Sequence, residues 1–207
     1  MINKIWKKQF DKNQYEILRN CSKKGDMNEW NEWRKTIKET PILLEGADLN
    51  GFNLHDTDLS EVYLTGAELL KTNLRGTKLR CANLKGANLG EADLENADLQ
   101  QVNLENAQLW GASLRGTNLL EANLKNAELM WADLDGADLT RANLNGADLW
   151  RASLKGAKLV RVIVDTKTFI WGCEFDAQTD LTGLKVDLAR VDPRLKKNLK
   201  ATVSLIH

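Results

Sequence analysis

Two histidines, two prolines and three cysteines are all that these 207 residues hold of those types, and no run of 18 apolar residues occurs. Each shortage excludes something. His55 and His207 cannot form a histidine cluster, and no catalytic motif surrounds either one. Cys21, Cys81 and Cys173 are odd in number and far apart, which fits reduced thiols rather than a disulfide framework. Without a long apolar run, no membrane span is expected. The leading stretch MINKIWKKQF lacks the apolar core of a signal peptide, so a cytoplasmic protein is expected. Charge of one sign is missing as well, since 29 basic residues balance 29 acidic ones. A direct nucleic-acid binder needs a basic excess to displace counterions, and none is expected here. No Gly-rich phosphate loop occurs, and the carboxylates are spread along the chain rather than paired. No catalytic residue, metal ligand or cofactor is therefore assigned, and the chain is not expected to be an enzyme.

Leucine, by contrast, is placed with strict regularity. It occupies position 44 and every fifth position after it to Leu159, 24 times in all. Two residues before each leucine stands a small or β-branched residue, most often alanine, as at Ala82, Ala87, Ala92 and Ala97. The residue between is usually Asp or Asn, so the unit reads A-(D/N)-L-x-x. On an α-helix, steps of five residues would smear the leucines around the cylinder. On a flat strand, an odd period would throw them onto alternate faces. One apolar side results only when the chain bends after every unit and every leucine points to a common axis. Four units at right angles close a coil of about 20 residues, and coils stack at about 4.8 Å. Residues 42–161 then make about six coils, a rod roughly 29 Å long. The second inward position must be small. Phe52 is the bulkiest exception, next to the first coil where an end can bulge. The regularly placed glycines, Gly46, Gly66 and Gly86 among them, mark turns.

This pattern resembles the pentapeptide-repeat family across residues 42–161. The resemblance implies an all-β solenoid, a right-handed quadrilateral β-helix, with the handedness supplied by the resemblance alone. Three segments are expected. Residues 1–40 form an N-terminal helical cap, 41–164 the repeat β-helix, and 165–207 an irregular C-terminal cap with a short helix. In the first, apolar residues at helical spacing predict one or two helices within 3–24. A second is predicted at 27–38, with Asp26 as its N-cap and Met27, Trp30 and Trp33 or Ile37 on one side. Pro41 stops it. These helices are expected to cover the open edge of the first coil, with partner docking as the alternative. After Leu159 the period fades: Val164 and Phe169 keep the register and then it is lost. Pro193 opens a predicted helix at 194–203.

Steps of 20 residues trace columns along the surface. Arg75, Glu95, Arg115, Asp135 and Lys155 alternate in sign, as do Lys85, Glu105 and Lys125. Asn83, Asn103, Asn123 and Asn143 form an amide column. Another column runs Asn50, Leu70, Gly90, Trp110, Met130, Trp150, with Trp131 beside Met130. These positions face solvent in the repeat geometry. Leu70, Trp110, Met130, Trp131 and Trp150 are therefore the candidate partner-binding residues, because large exposed apolar patches mark contacts and Trp is enriched at hot spots. Mutual stacking, cover by the terminal segments and self-association are the alternatives. Cys81 and His55 fall one corner apart, so no Cys/His pair is assigned.

The expected function is a non-enzymatic protein–protein interaction scaffold that presents one solenoid face to a protein partner. A homodimer through an end cap or the Trp face is the other mode of association. Some members of the resembled family mimic DNA, bind gyrase and confer fluoroquinolone resistance, which implies a topoisomerase binder as an alternative. Residues 42–161 carry 17 acidic and 12 basic residues, a mildly negative rod between a basic N-terminus and a nearly neutral tail. The stretch Glu29-Trp30-Asn31-Glu32-Trp33-Arg34 and the tail also resemble the flanks of bacterial channel-linked pentapeptide-repeat proteins. That implies an accessory of a membrane channel, although the channel's apolar helices are absent from the sequence.

Overall fold

A computed structural model describes residues 10–37 and 40–184. Every fifth residue, the one just before each leucine, makes a single parallel bridge to its counterpart 20 residues on, from Leu43↔Tyr63 to Asn143↔Ile163. Each coil thus has four sides. Among the described residues no strand is longer than one bridge, a finer texture than the word strand suggests. The corners cause this. At each corner the N–H of the small residue donates to the preceding leucine carbonyl, as in Ala47 to Leu44 at 3.1 Å. The residue just before the small one has φ near +60°. That is the third position of a type II turn, where Gly is favoured. The turn consumes most of a five-residue unit and leaves one residue per side free to pair.

The Asp or Asn of each unit holds its corner. Asn83 Oδ1 accepts the N–H of Lys85 at 3.2 Å, and Asp148 Oδ1 that of Trp150 at 2.9 Å. The asparagines also bond along the rod: Asn103 Nδ2 donates to Asn83 Oδ1 at 3.2 Å, and Asn123 to Asn103 at 3.0 Å. Inside, the leucines from Leu44 to Leu159 and the alanines are buried. Where threonine replaces alanine its hydroxyl finds a carbonyl, as Thr72 Oγ1 does at Leu49 (2.8 Å). Across coils the alternating charges pair. Lys85 meets Glu105 at 3.1 Å, Arg115 meets Asp133 and Asp135 at 2.9 and 3.2 Å, and Arg75 meets Asp93 and Glu95.

Two helices precede the rod, α1 (Lys12–Lys24) and α2 (Asn28–Thr36). The spacing of apolar residues predicted one or two helices within 3–24; residues 1–9 lie outside the described ones, α1 falls in the second half of that range, and Phe10 before it bridges Leu44 antiparallel. The start is set by Asp11, whose side chain accepts the N–H groups of Asn13 and Gln14. Gly25, with φ 66°, closes α1. Met27 takes the N-cap position of α2, and Asp26 instead accepts the Asn28 N–H from one residue further out. Residue 38 lies outside the described residues.

The helices supply the first coil with the partners that a preceding coil would give. Leu43 N–H donates to Gln14 Oε1 and its carbonyl accepts from Asp11 N–H. Tyr15 OH donates to the Asp48 carbonyl, and Asn53 N–H to Ser22 Oγ. Asp58 N–H donates to Asn31 Oδ1, and Trp30 Nε1 to the Asp58 carbonyl at 2.9 Å. Arg34 Nη2 reaches the Ser60 carbonyl at 2.8 Å. All four open sides receive a bond, so the edge is blunted. Phe52 is half-buried on the first coil, where Tyr15 packs against it at 6.1 Å, and Phe10 in turn packs against Tyr15 at 5.3 Å.

Beyond Val164 the five-residue period ends but the bridges do not. Asp148 pairs with Phe169, Ser153 with Glu174 and Lys158 with Asp180. Two sides of this coil have six residues instead of five. At each enlarged corner a D-x-x-T segment folds back on itself. Asp165 Oδ1 accepts Gly146, Lys167 and Thr168 N–H, and Thr168 Oγ1 donates to the Leu144 carbonyl. Asp176 repeats this with Gly156, Gln178, Thr179 and the Leu154 carbonyl. The Gly156 N–H is the chief reason the Asp176 carboxyl sits below its ordinary pKa. The predicted helix at 194–203 lies outside the described residues.

Candidate functional site

The column after Leu69, Leu89, Leu109, Leu129 and Leu149 lies along one edge of the rod. Its register is fixed by backbone bonds that repeat from coil to coil: Lys71 N–H to Gly90, Glu91 to Trp110, Gly111 to Met130 and Trp131 to Trp150 carbonyls. The next bond in the series is Arg151 N–H to the Trp171 carbonyl at 2.9 Å. Trp171 therefore follows Trp150 in this column, shifted by the inserted residue. Sequence spacing alone missed it, because steps of 20 from Trp150 land on Ile170, which points inward and is buried. The two D-x-x-T segments, DTKT and DAQT, were the signal that could have located the shift.

The edge brings Trp110, Met130, Trp131, Trp150 and Trp171 onto neighbouring coils, with Leu70 at its N-terminal end beyond Gly90. Trp110 lies flat on Gly90: a methyl group built there would stand 2.5 Å from its Cε2 and Cζ2. Gly90 has an ordinary negative φ, so what its missing side chain provides is space for the indole. Trp150 meets Trp131 edge to face, with centroids 4.8 Å apart and planes at 64°. Arg151 places its guanidinium 4.9 Å over the Trp150 ring. Trp110, Met130 and Trp150 are half-buried by this stacking, whereas Trp131 is 49% exposed and Trp171 43%. Mutual stacking thus hides part of the edge and leaves two indoles in water.

Trp131 has a backbone conformation that works against it. Its φ is +56°, and it is the one aromatic among 14 non-glycine residues with positive φ in the described chain. For a bulky residue this region is a true outlier. Its ring gains only the Trp150 contact in exchange. Replacing it by Asn, which tolerates this region, relieves about 1–2 kcal/mol of backbone strain. The lost ring contact is worth about 0.5–1.5 kcal/mol. Trp131→Asn is therefore expected to leave the thermal midpoint unchanged or slightly raised. A fall of more than about 4 °C would show that the indole is there for the fold.

No group of three or more His, Cys, Asp or Glu is placed to hold a metal ion among the described residues. His55 Nδ1 sits 3.0 Å from Asp56 Oδ2 in one shallow hollow. Cys81 lines another, of about 420 Å³, with Arg34 and Tyr63 beneath α2. The two hollows share no residue. No helix of the described residues is long and apolar enough to cross a membrane.

The family model for pentapeptide repeats matches in overlapping stretches, 43–80, 57–96, 77–109, 103–141 and 132–163. The chain is a member of the pentapeptide-repeat family. A similar solved pentapeptide-repeat structure is HetL, involved in heterocyst differentiation regulation in the cyanobacterium Nostoc sp. strain PCC 7120. It is 32% identical with a TM-score of 0.55, covering 69% of this chain and 73% of that one. A pentapeptide-repeat protein of the Arabidopsis thaliana thylakoid lumen is 29% identical over 51% of this chain and 66% of that one, with a TM-score of 0.35. The plasmid-mediated fluoroquinolone resistance protein QnrB1 is 17% identical over 63% and 84%, with a TM-score of 0.30. A search of curated proteins gave no match.

Proposed function

We propose that this pentapeptide-repeat protein is a non-enzymatic, cytoplasmic interaction scaffold that presents its tryptophan edge to a protein partner. In this reading the rod is the right-handed quadrilateral β-helix that the family implies, with about six coils from its 24 five-residue units. The N-terminal helices and the residues after the repeat serve as its ends. The observation that carries the reading is Trp131, an indole kept half in water in a backbone conformation that costs energy, on an edge shared with Trp110, Met130, Trp150 and Trp171. The positive φ is common to corners along the rod, so what marks this one is an exposed indole where the others carry Gly, Cys81 or polar residues, and Trp is enriched at contact hot spots. Leu70 extends the candidate surface toward the N-terminus. HetL, a pentapeptide-repeat protein involved in regulation of heterocyst differentiation, accords with a scaffold role.

A DNA-mimicking gyrase binder fits the surface less well. Such a surface needs unneutralised negative charge, and many carboxylates of the rod are held in ion pairs to the adjacent coil, including Glu91, Asp93, Glu95, Glu105, Glu121, Asp133 and Asp138.

The test compares the full chain with a Trp110→Ala/Trp150→Ala variant as baits in the native host. Partner affinity is expected to fall about thirtyfold or more, the size of a hot-spot truncation. Recovery of the same partners in the same amounts would reject this edge. Loss of self-association in sedimentation, with no partner affected, would assign the edge to a homodimer instead.

A further inference from the structure

We infer that the tryptophan edge binds a proline-rich peptide segment in the polyproline II conformation, with a basic residue between its prolines. This inference rests on the interaction reading above and names the partner's chemistry. Trp110 and Trp150 occupy the same column two coils apart, and each leans toward the preceding coil, Trp110 onto Gly90 and Trp150 against Trp131. Two coil rises come to about 9.6 Å. One turn of polyproline II, three residues long, rises about 9.3 Å. Prolines at the ends of a P-x-x-P segment lying along the rod would thus meet the two indoles in step. Trp131 meets Trp150 edge to face and stays half exposed beside it, and Met130, an adaptable side chain, lies in the same column on the coil between the two indoles. Aromatic-lined grooves of this spacing suit a helix that is already ordered before binding and therefore loses little entropy.

Charge selects among such segments. Glu128 lies in the adjacent column, two residues before Met130, and is exposed. Its carboxylate makes no hydrogen bond or ion pair with another described side chain, whereas most rod carboxylates are paired. It stands level with the gap between Trp110 and Trp150. On the opposite flank Arg151 is drawn over the Trp150 ring. A peptide running along the edge points its two intervening residues to opposite flanks. The one on the Glu128 side should be Lys or Arg, and the one on the Arg151 side uncharged. A neutral sugar chain could also stack on spaced indoles, with its hydroxyls donating to Glu128, but it carries no cation to pair with that charge, and the experiment separates the two.

The experiment follows the indole N–H resonances of the full-length protein by NMR. The titrants are a synthetic peptide with one P-x-x-P unit and a lysine at one intervening position, the same peptide with both prolines replaced by alanine, and cellohexaose. The expected result is a saturable shift of the Trp110 and Trp150 resonances with the first peptide, no shift at the buried Trp30, and loss of the effect with the alanine peptide. Glu128→Gln is expected to weaken binding about threefold, the size of an exposed ion pair. Equal binding by the alanine peptide, a response only to cellohexaose, or no shift at Trp110 and Trp150 overturns the inference. If the Trp110→Ala/Trp150→Ala variant still loses a protein partner, the scaffold reading survives that failure. If it does not, both fall.

Discussion

Trp30→Ala is expected to lower folding stability by about 3–5 kcal/mol and to turn a covered rod end into a sticky one. The indole is fully buried. It packs with Leu18, Cys21 and Met27 in the core and lies 5.0 Å from the ring of Trp33. Its Nε1 is also the donor for the Asp58 carbonyl on the first coil. Truncation opens a large cavity and removes that bond in one step. Trp30→Phe separates the two effects, since it keeps most of the volume and removes only the donor. It is expected to cost about 1–3 kcal/mol, the penalty for an unsatisfied buried carbonyl. The second consequence concerns association. α2 also supplies Asn31 and Arg34 to first-coil backbone groups. Loosening it frees a parallel edge that another rod can extend. Denaturant midpoints measure the first effect, and light scattering after size exclusion measures the second. A variant that is destabilised yet keeps the parent's mass at high concentration would show that α1 alone suffices to blunt the edge.

The cap also shows what could be read in the sequence and what could not. The rod was legible because one physical requirement, a leucine and a small residue inward in every unit, repeats too often to be hidden. Trp30 was legible as the buried side of α2 because it follows Met27 at helical spacing. The pairing of Gln14 with Leu43, Ser22 with Asn53 and Asn31 with Asp58 was not. Polar side chains in a helix carry no period, and their partners become defined only once the first coil exists. The start of α1 at Lys12, inside the expected 3–24, was hidden for a related reason. Ile2, Ile5, Trp6 and Phe10 have helical spacing, yet Asp11 captures the first helical N–H groups and Phe10 is left to pair with Leu44. At the other end, one inserted residue moved Trp171 into the aromatic column and hid it from a count of twenty. The columns themselves were readable in advance. The conformation of Trp131 was readable only from its register, which it shares with turn glycines such as Gly46 and Gly66, since nothing in the residue's own identity reports a positive φ.

Leu104→Ala is expected to be among the most damaging single truncations in the rod, near the upper end of the 2–5 kcal/mol range for such changes. The usual relief for a core cavity is collapse of the surroundings, and this site cannot collapse. The backbone at Leu104 is tied in both directions. Its own N–H donates to the Asn123 carbonyl at 2.7 Å, and Asn103 N–H donates to Ala82 at 2.9 Å. The alanines beside it, Ala107 and Ala87, have no length with which to reach into the gap. Leu159 offers the contrast. It is still buried, but the coil that follows it has six-residue sides closed by Asp165 and Asp176 rather than further regular units. Leu159→Ala is expected to cost about 2–3 kcal/mol because that looser coil can shift. The difference bears on cooperativity. In a solenoid each coil touches only its neighbours, so stability is a chain of interface terms. A weak link in the middle divides the rod, and a weak link at the end shortens it. Leu104→Ala should therefore broaden the denaturant transition or split it in two, while Leu159→Ala should leave a single transition at a lower midpoint. Equal losses with unchanged slopes at both positions would mean that the rod unfolds as one unit and that coil neighbours do not set its cooperativity.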